Sequence, residues 1–95
     1  MRYIESYVHK SRVEVLLELE ADADSAGESD EFRQLARDLV LQVAAGKAKS
    51  PNELIEQRFI KDSEQLVSHR IYVVSTILKT PIRITRFVRY DADAA

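Results

Sequence analysis

Between Phe32 and Ala44 the apolar residues Phe32, Leu35, Ala36, Leu39, Val40, Val43 and Ala44 recur at the i, i+3, i+4, i+7 spacing of one helical face. Ser29 supplies an N-cap, with Asp30 and Glu31 in the first turn, where carboxylates meet the positive end of the helix dipole. Gly46 is placed to end the helix in the left-handed conformation, with Lys47 and Lys49 beside its negative end. The pattern on either side is different. Arg2 to His9 alternates, with Tyr3, Glu5, Tyr7 and His9 on one face and Arg2, Ile4, Ser6 and Val8 on the other, which is the period of a strand. Arg12 to Glu20 alternates in the same way, with Val13, Val15, Leu17 and Leu19 facing together. A short turn at Lys10-Ser11 joins the two as an antiparallel hairpin, although the Asn-Gly type of turn signal is missing.

Asp22 to Ser29 reads as a loop of small and acidic residues. Ser50-Pro51-Asn52-Glu53 has the form of a capping box with proline in the first turn, so Asn52 to Gln57 is expected to make a short helix. Arg58 to Lys61 looks extended, and Asp62-Ser63-Glu64-Gln65 offers another N-cap signature. Leu66 to Leu78 is ambiguous: Val67, Ile71, Val74 and Leu78 fit a helix face, while its many β-branched residues suit a strand. Length and the preceding cap favour the helix. After Pro81, Ile82 to Asp91 alternates again, with Ile82, Ile84, Val88 and Tyr90 on one face interrupted by Arg86. The fold class expected is α+β, a small three-stranded antiparallel sheet with helices on one face, in the order β-β-α-α-α-β. Residues 1–91 form one domain in this reading, and 92–95 a flexible tail. Apolar residues remain on the second face of the strands, where a second copy of the chain is expected to pack.

Composition narrows the chemistry. With 95 residues and 45% hydrophobic content there is material for one modest core, and the absence of cysteine excludes a disulfide framework or a thiolate metal site. The apolar runs fall far short of the roughly 20 residues of a membrane helix. The N-terminus lacks the apolar stretch of a signal peptide, so a soluble, cytoplasmic protein is expected. The net charge is −2, with six basic and ten acidic residues in positions 1–48 but eight basic and six acidic in 49–95. This asymmetry suits self-association or a charged partner, though on its own it mostly reports solvated faces.

Enzymatic machinery is not in evidence. His9 and His69 belong to no nucleophile motif, and Gly27 and Gly46 make no phosphate loop, so no catalytic residue and no cofactor is expected. Asp22-Ala23-Asp24-Ser25-Ala26-Gly27 opens like an EF-hand, but the loop's fifth and twelfth positions fall on Ala26 and Arg33, so no metal site is expected. Arg83, Arg86 and Arg89 with Phe87 and Tyr90 suggest a nucleic-acid strip, yet strict alternation puts Arg83 and Arg89 on one face and Arg86 on the other, and nucleic acid is not the expected partner.

Four segments, in order, resemble elongation factor Ts, the bacterial and organellar guanine-nucleotide exchange factor for elongation factor Tu, in its core or dimerisation domain. Tyr7-Val8-His9, Arg12-Val13 and Val15-Leu16-Leu17-Glu18 resemble that family's Tyr-Ile-His-Gly-Gly-Arg-Ile-Gly-Val-Leu-Val-Glu. Asp30-Glu31-Phe32, Leu35-Ala36-Arg37-Asp38 and Gln42-Val43-Ala44-Ala45 resemble its helix. Leu54 to Asp62 is similar to its Leu-Leu-Glu-Gln-Pro-Phe-Ile-Lys-Asp, and Arg86 to Tyr90 to its Arg-Phe-Val-Arg-Phe. The resemblance implies binding to elongation factor Tu, nucleotide exchange in translation elongation, and a homodimer. It also marks departures. The family's Thr-Asp-Phe-Val motif, which is pushed against the partner's nucleotide site to displace magnesium, falls on Ala23, Asp24, Ser25 and Ala26, so only the Asp is kept and the aromatic wedge is replaced by Ser25. The hairpin glycines are Lys10, Ser11 and Glu14. The family's three-helix N-terminal module and the second core repeat of its longer members have no counterpart in these residues. The resemblance therefore points to His9, Asp24 and Ser25 as the partner-binding positions. Its alternative is a degenerate paralogue that dimerises without exchange activity and serves as an interaction module.

Overall fold

The computed structural model describes Met1 to Ala94. Strands β1 (Arg2–His9) and β2 (Val13–Ala21) form the expected hairpin, with Tyr3 opposite Leu19 and His9 opposite Val13. The turn is closed by the Arg12 N–H donating to the His9 carbonyl at 2.9 Å, and it uses left-handed backbone at both Lys10 (φ 53°) and Ser11 (φ 58°). A short 3-10 turn, Asp24–Glu28, leads into helix α1 (Asp30–Ala45). The Ser29 hydroxyl accepts from the N–H groups of Glu31 and Phe32, as an N-cap does. At the other end Gly46 is extended (φ −108°, ψ −167°) rather than left-handed. Its small size is used instead: a Cβ there would sit 3.1 Å from the Gln42 carbonyl and 3.2 Å from the Gln57 side chain.

Helix α2 (Pro51–Glu56) starts on its capping box, the Ser50 hydroxyl accepting from the Glu53 N–H, and the Glu53 carboxylate accepting from the Lys49 N–H. Two short strands, β3 (Arg58–Phe59) and β4 (Asp62–Leu66), then form a ribbon of their own. The Asp62 signature does not cap a helix. Its carboxylate accepts from the Glu64 N–H and the Gln65 amide and shapes the start of β4, so helix α3 (Val67–Leu78) begins at Val67 without a side-chain cap. Lys79, left-handed at φ 57°, ends α3 ahead of Thr80-Pro81. The final strand, β5 (Ile82–Asp91), pairs antiparallel with β2, giving the sheet order β1-β2-β5. The order of the larger elements is the expected one, with the β3-β4 ribbon added.

The core lies between one sheet face and the helices. Val15, Leu17, Leu19 and Ala21 of β2 meet Phe32, Leu35, Ala36, Leu39 and Val43 of α1, with Leu54, Phe59, Val67, Ile71, Val74 and Ile82 closing it. The Tyr3 ring stands edge-on to Phe32 at 5.2 Å. Gln42, on the buried side of α1, ties the ribbon down: its amide donates to the Arg58 carbonyl and the Gln57 side chain and accepts from the Ile60 N–H. Asp38, also buried, is met by Gln34 and Lys61.

β5 departs from simple alternation. Leu19 pairs with Ile84 and Glu18 with Arg86, leaving Thr85 as an extra residue, a β-bulge. Beyond it the faces exchange. Ile82 and Ile84 share the helix face with Phe87 and Arg89, while Val88 and Tyr90 turn to the outer face with Arg86. Arg83 and Arg86 therefore share the outer face, and Arg89 instead reaches under α1 to donate to the Ala44 carbonyl at 3.1 Å. Past β5, the Ala92 N–H donates to the Arg12 carbonyl and Asp93 pairs with Arg12. The remainder of the tail, Ala95, lies outside the described residues.

Candidate partner-binding surfaces

The acidic loop becomes an anchored turn. Ala26 is buried beneath it and the Ala23 N–H donates to the Thr80 hydroxyl at 3.0 Å, fixing the turn to the start of β5. These ties leave Asp24 and Ser25 on the outside. Asp24 is 97% exposed, and Asp22, Glu28, Asp30 and Glu31 lie close to it in the chain. The carboxylates at this end are met by cations, the N-terminal ammonium of Met1 at 3.7 Å from Asp24 and Arg83 at 3.2 Å from Asp22.

His9 lies at the opposite end of the hairpin. Its imidazole Nδ1 is 2.7 Å from the Tyr7 hydroxyl, and the two rings are 5.9 Å apart. A small recess of about 260 Å³ opens beside them, floored by Val13, Leu41 and Ala44. With the nine residues of β2 between them at ~3.4 Å per residue, the hairpin tip and the 3-10 turn stand roughly 25–30 Å apart. The structure thus brings Asp24 and Ser25 together and places His9 at the other pole.

A third surface is the outer face of the sheet. Ile4, Val8, Leu16, Val88 and Tyr90 are all exposed there, Tyr90 at 73%. Charges cross this face in rows. Glu20 accepts from Arg2 at 3.2 Å on β1 and from Arg83 at 2.8 Å on β5, and Arg83 also reaches Asp22. Beside that row the Glu18 carboxylate, only 8% exposed, accepts from the Thr85 hydroxyl at 2.6 Å and from Arg86 at 3.3 Å. The Thr85 hydrogen bond, helped by Arg86, holds the Glu18 carboxyl below its ordinary range in spite of desolvation. Glu20 is lowered chiefly by its hydrogen bond from Arg83, then by that from Arg2.

Sequence alternation missed two features of these surfaces. The bulge gathers Arg83 and Arg86 onto one face, and its only advance signal is that Ile84 and Phe87 are separated by three residues rather than two. The Gln42 strut was hidden because a polar residue on the apolar side of a helix has no periodic signature.

No family model matches the chain. Known proteins do. Elongation factor Ts of Desulforamulus reducens is 27% identical over 134 aligned positions, covering 93% of this chain and 62% of that protein. Elongation factor Ts of Thermodesulfovibrio yellowstonii is 35% identical over 69 positions, covering 72% of this chain and 35% of the relative. That of Prochlorococcus marinus is 30% identical over 132 positions, with 90% and 61% covered. The chain spans less than two thirds of the length of these relatives. Alignments longer than the chain itself mean that the relatives carry further residues inside the matched span. Among the described residues no helix is long and apolar enough to cross a membrane. With relatives of one name matching most of its length, and the β-β-α-α-α-β order in place, the chain is an elongation factor Ts-like domain.

Proposed function

We propose that this chain binds elongation factor Tu through the pole that carries the Asp24-Ser25 turn, with that turn as the contact and His9 as a second contact at the far end. The observation that carries the reading is the anchoring of the 3-10 turn. Ala26 and the Ala23–Thr80 hydrogen bond hold the turn so that Asp24 projects almost wholly into solvent, at the position where the resemblance sets the family's exchange motif. A pre-ordered turn binds with less loss of conformational freedom than a mobile one. Exchange requires that a binder favour the nucleotide-free state of its partner, so any acceleration comes from the Asp24 carboxylate and the turn backbone, because Ser25 offers no ring to insert. The outer sheet face supports a homodimer: five exposed apolar side chains on a single face are best covered by a second copy, which brings an identical patch.

A second reading, a dimeric interaction module without exchange activity, draws its support from Ser25 itself. Release of a fluorescent guanine nucleotide from elongation factor Tu of the same organism, with binding followed in parallel, separates the two. Accelerated release that Asp24→Ala reduces supports exchange by the turn. Binding without acceleration supports a modulator of elongation factor Tu, and absence of binding supports the interaction module with a different partner.

A further inference from the structure

A cleft of about 680 Å³ runs between α2, α3 and the beginning of β5, next to the Thr80 hydroxyl that anchors the 3-10 turn. Its walls are mostly apolar, with Ile55 on α2, Ile71 and Tyr72 on α3, and Ile82 and Ile84 on β5. Successive residues from Thr80 to Ile84 line it, including Ile82 and Ile84 from one sheet face and Arg83 from the other. A cleft lined by both faces of a strand lies along the edge of that strand. β5 is an edge strand, and among the described residues no backbone hydrogen bond of β5 between Ile82 and Tyr90 falls outside its pairing with β2. Alternate residues therefore turn an N–H and a C=O toward the cleft with no protein partner.

We propose that this cleft is a docking site for an extended peptide segment of a partner protein, which adds to β5 as a fourth strand. The free edge states the chemistry of the occupant: a ladder of backbone groups on one side requires extended backbone on the other. The apolar walls call for apolar side chains at alternate positions, those that point from the new strand toward α3. Charge selects further. Among the described residues Arg83 is the one charged group in the lining, and it is already paired with Glu20 and Asp22, so an uncharged apolar run is favoured over a peptide that would bring an unbalanced charge. α3 is suited to such a wall, because Tyr72 and Thr76 are exposed beside the cleft on a helix that Val67 and Val74 fix in the core.

The test uses the full chain and a fluorescein-labelled peptide, Thr-Val-Thr-Ile-Thr-Val, followed by anisotropy and by amide chemical shifts. The expected result is saturable binding with shifts at Ile82 to Ile84 and along α3. N-methylation of alternate peptide amides in one register weakens binding by at least about tenfold, the scale of a lost backbone hydrogen bond, while N-methylation in the other register does not. Replacing the peptide Ile by Lys, which puts a charge against the apolar wall, weakens it as well. Tyr72→Glu and Thr76→Arg, both at exposed positions of α3, weaken it without changing the melting temperature. No saturation by about 1 mM peptide overturns the proposal. So does binding indifferent to N-methylation in both registers, which would mean a greasy surface without a strand edge, and so do shifts confined to the outer sheet face.

Discussion

Lys10 and Ser11 hold left-handed backbone although neither is glycine, and such conformations cost an L-residue roughly 1–2 kcal/mol each. The tight turn between β1 and β2 demands it, because paired positive φ angles match the twist of the strands they join. Replacing Lys10-Ser11 by Asn-Gly is expected to stabilise the protein by about 1 kcal/mol, seen as a rise of several degrees in the melting temperature. An unchanged melt would show that the turn is unstrained. Gln42 predicts the opposite sign. Gln42→Leu leaves the Ile60 N–H and the Arg58 carbonyl without their partner and is expected to cost about 2 kcal/mol, with the β3-β4 ribbon exchanging its amides faster than α1. The turn was half legible in the sequence, since two strand patterns meeting across Lys10-Ser11 locate it while the residue types hide its conformation. Gln42 was not legible at all. Its role depends on Arg58 and Ile60, which come near it only after the chain has folded.

Elements divide in the same way. α1 could be read from its spacing and its Ser29 cap because both are local properties, and the same seven positions predict its inner face. Leu39 is fully buried there, so Leu39→Asp is expected to unfold the protein by burying an unpaired charge, a loss of more than about 4 kcal/mol that far-ultraviolet circular dichroism will register. Lys79 could not be read as the end of α3, nor Asp62 as the start of β4, because each conformation is imposed by what the neighbouring element packs against. β5 shows the limit most clearly. Period-2 alternation is a sound rule until one extra residue enters, and Thr85 puts Arg89 under α1 instead of beside Arg83. The proposed contacts follow the same division: Asp24 and Ser25 are proposed through resemblance to a motif, whereas the buried Ala26 and the Thr80 hydroxyl that hold their turn emerged from the fold.

Across the whole molecule, charge and apolar surface are arranged together. Glu18 and Glu20 titrate lower in the folded chain than the ordinary glutamate value of 4.5, so ionisation of both favours folding above that value. That contribution is lost as the pH falls through the lower folded values. Urea midpoints measured from pH 7 down to pH 3 are therefore expected to fall below about pH 4.5, and Thr85→Val, which removes the largest cause of the Glu18 shift, is expected to make that fall shallower. A homodimer through the outer face makes a separate prediction. Val88→Lys places a charge in the centre of the apolar patch and is expected to shift sedimentation from dimer to monomer while leaving the melt of the monomer nearly unchanged, because Val88 is exposed.

The sheet order also sets a timetable for synthesis. The middle strand, β2, is made early, yet one of its two neighbours is β5, the final strand of the fold. Until β5 has been translated, the growing chain can complete the first hairpin and wind α1, but one edge of β2 stays open. Until the β5 residues emerge, the unpaired backbone of β2 from Val13 to Ala21 offers a strand edge to any neighbouring nascent chain.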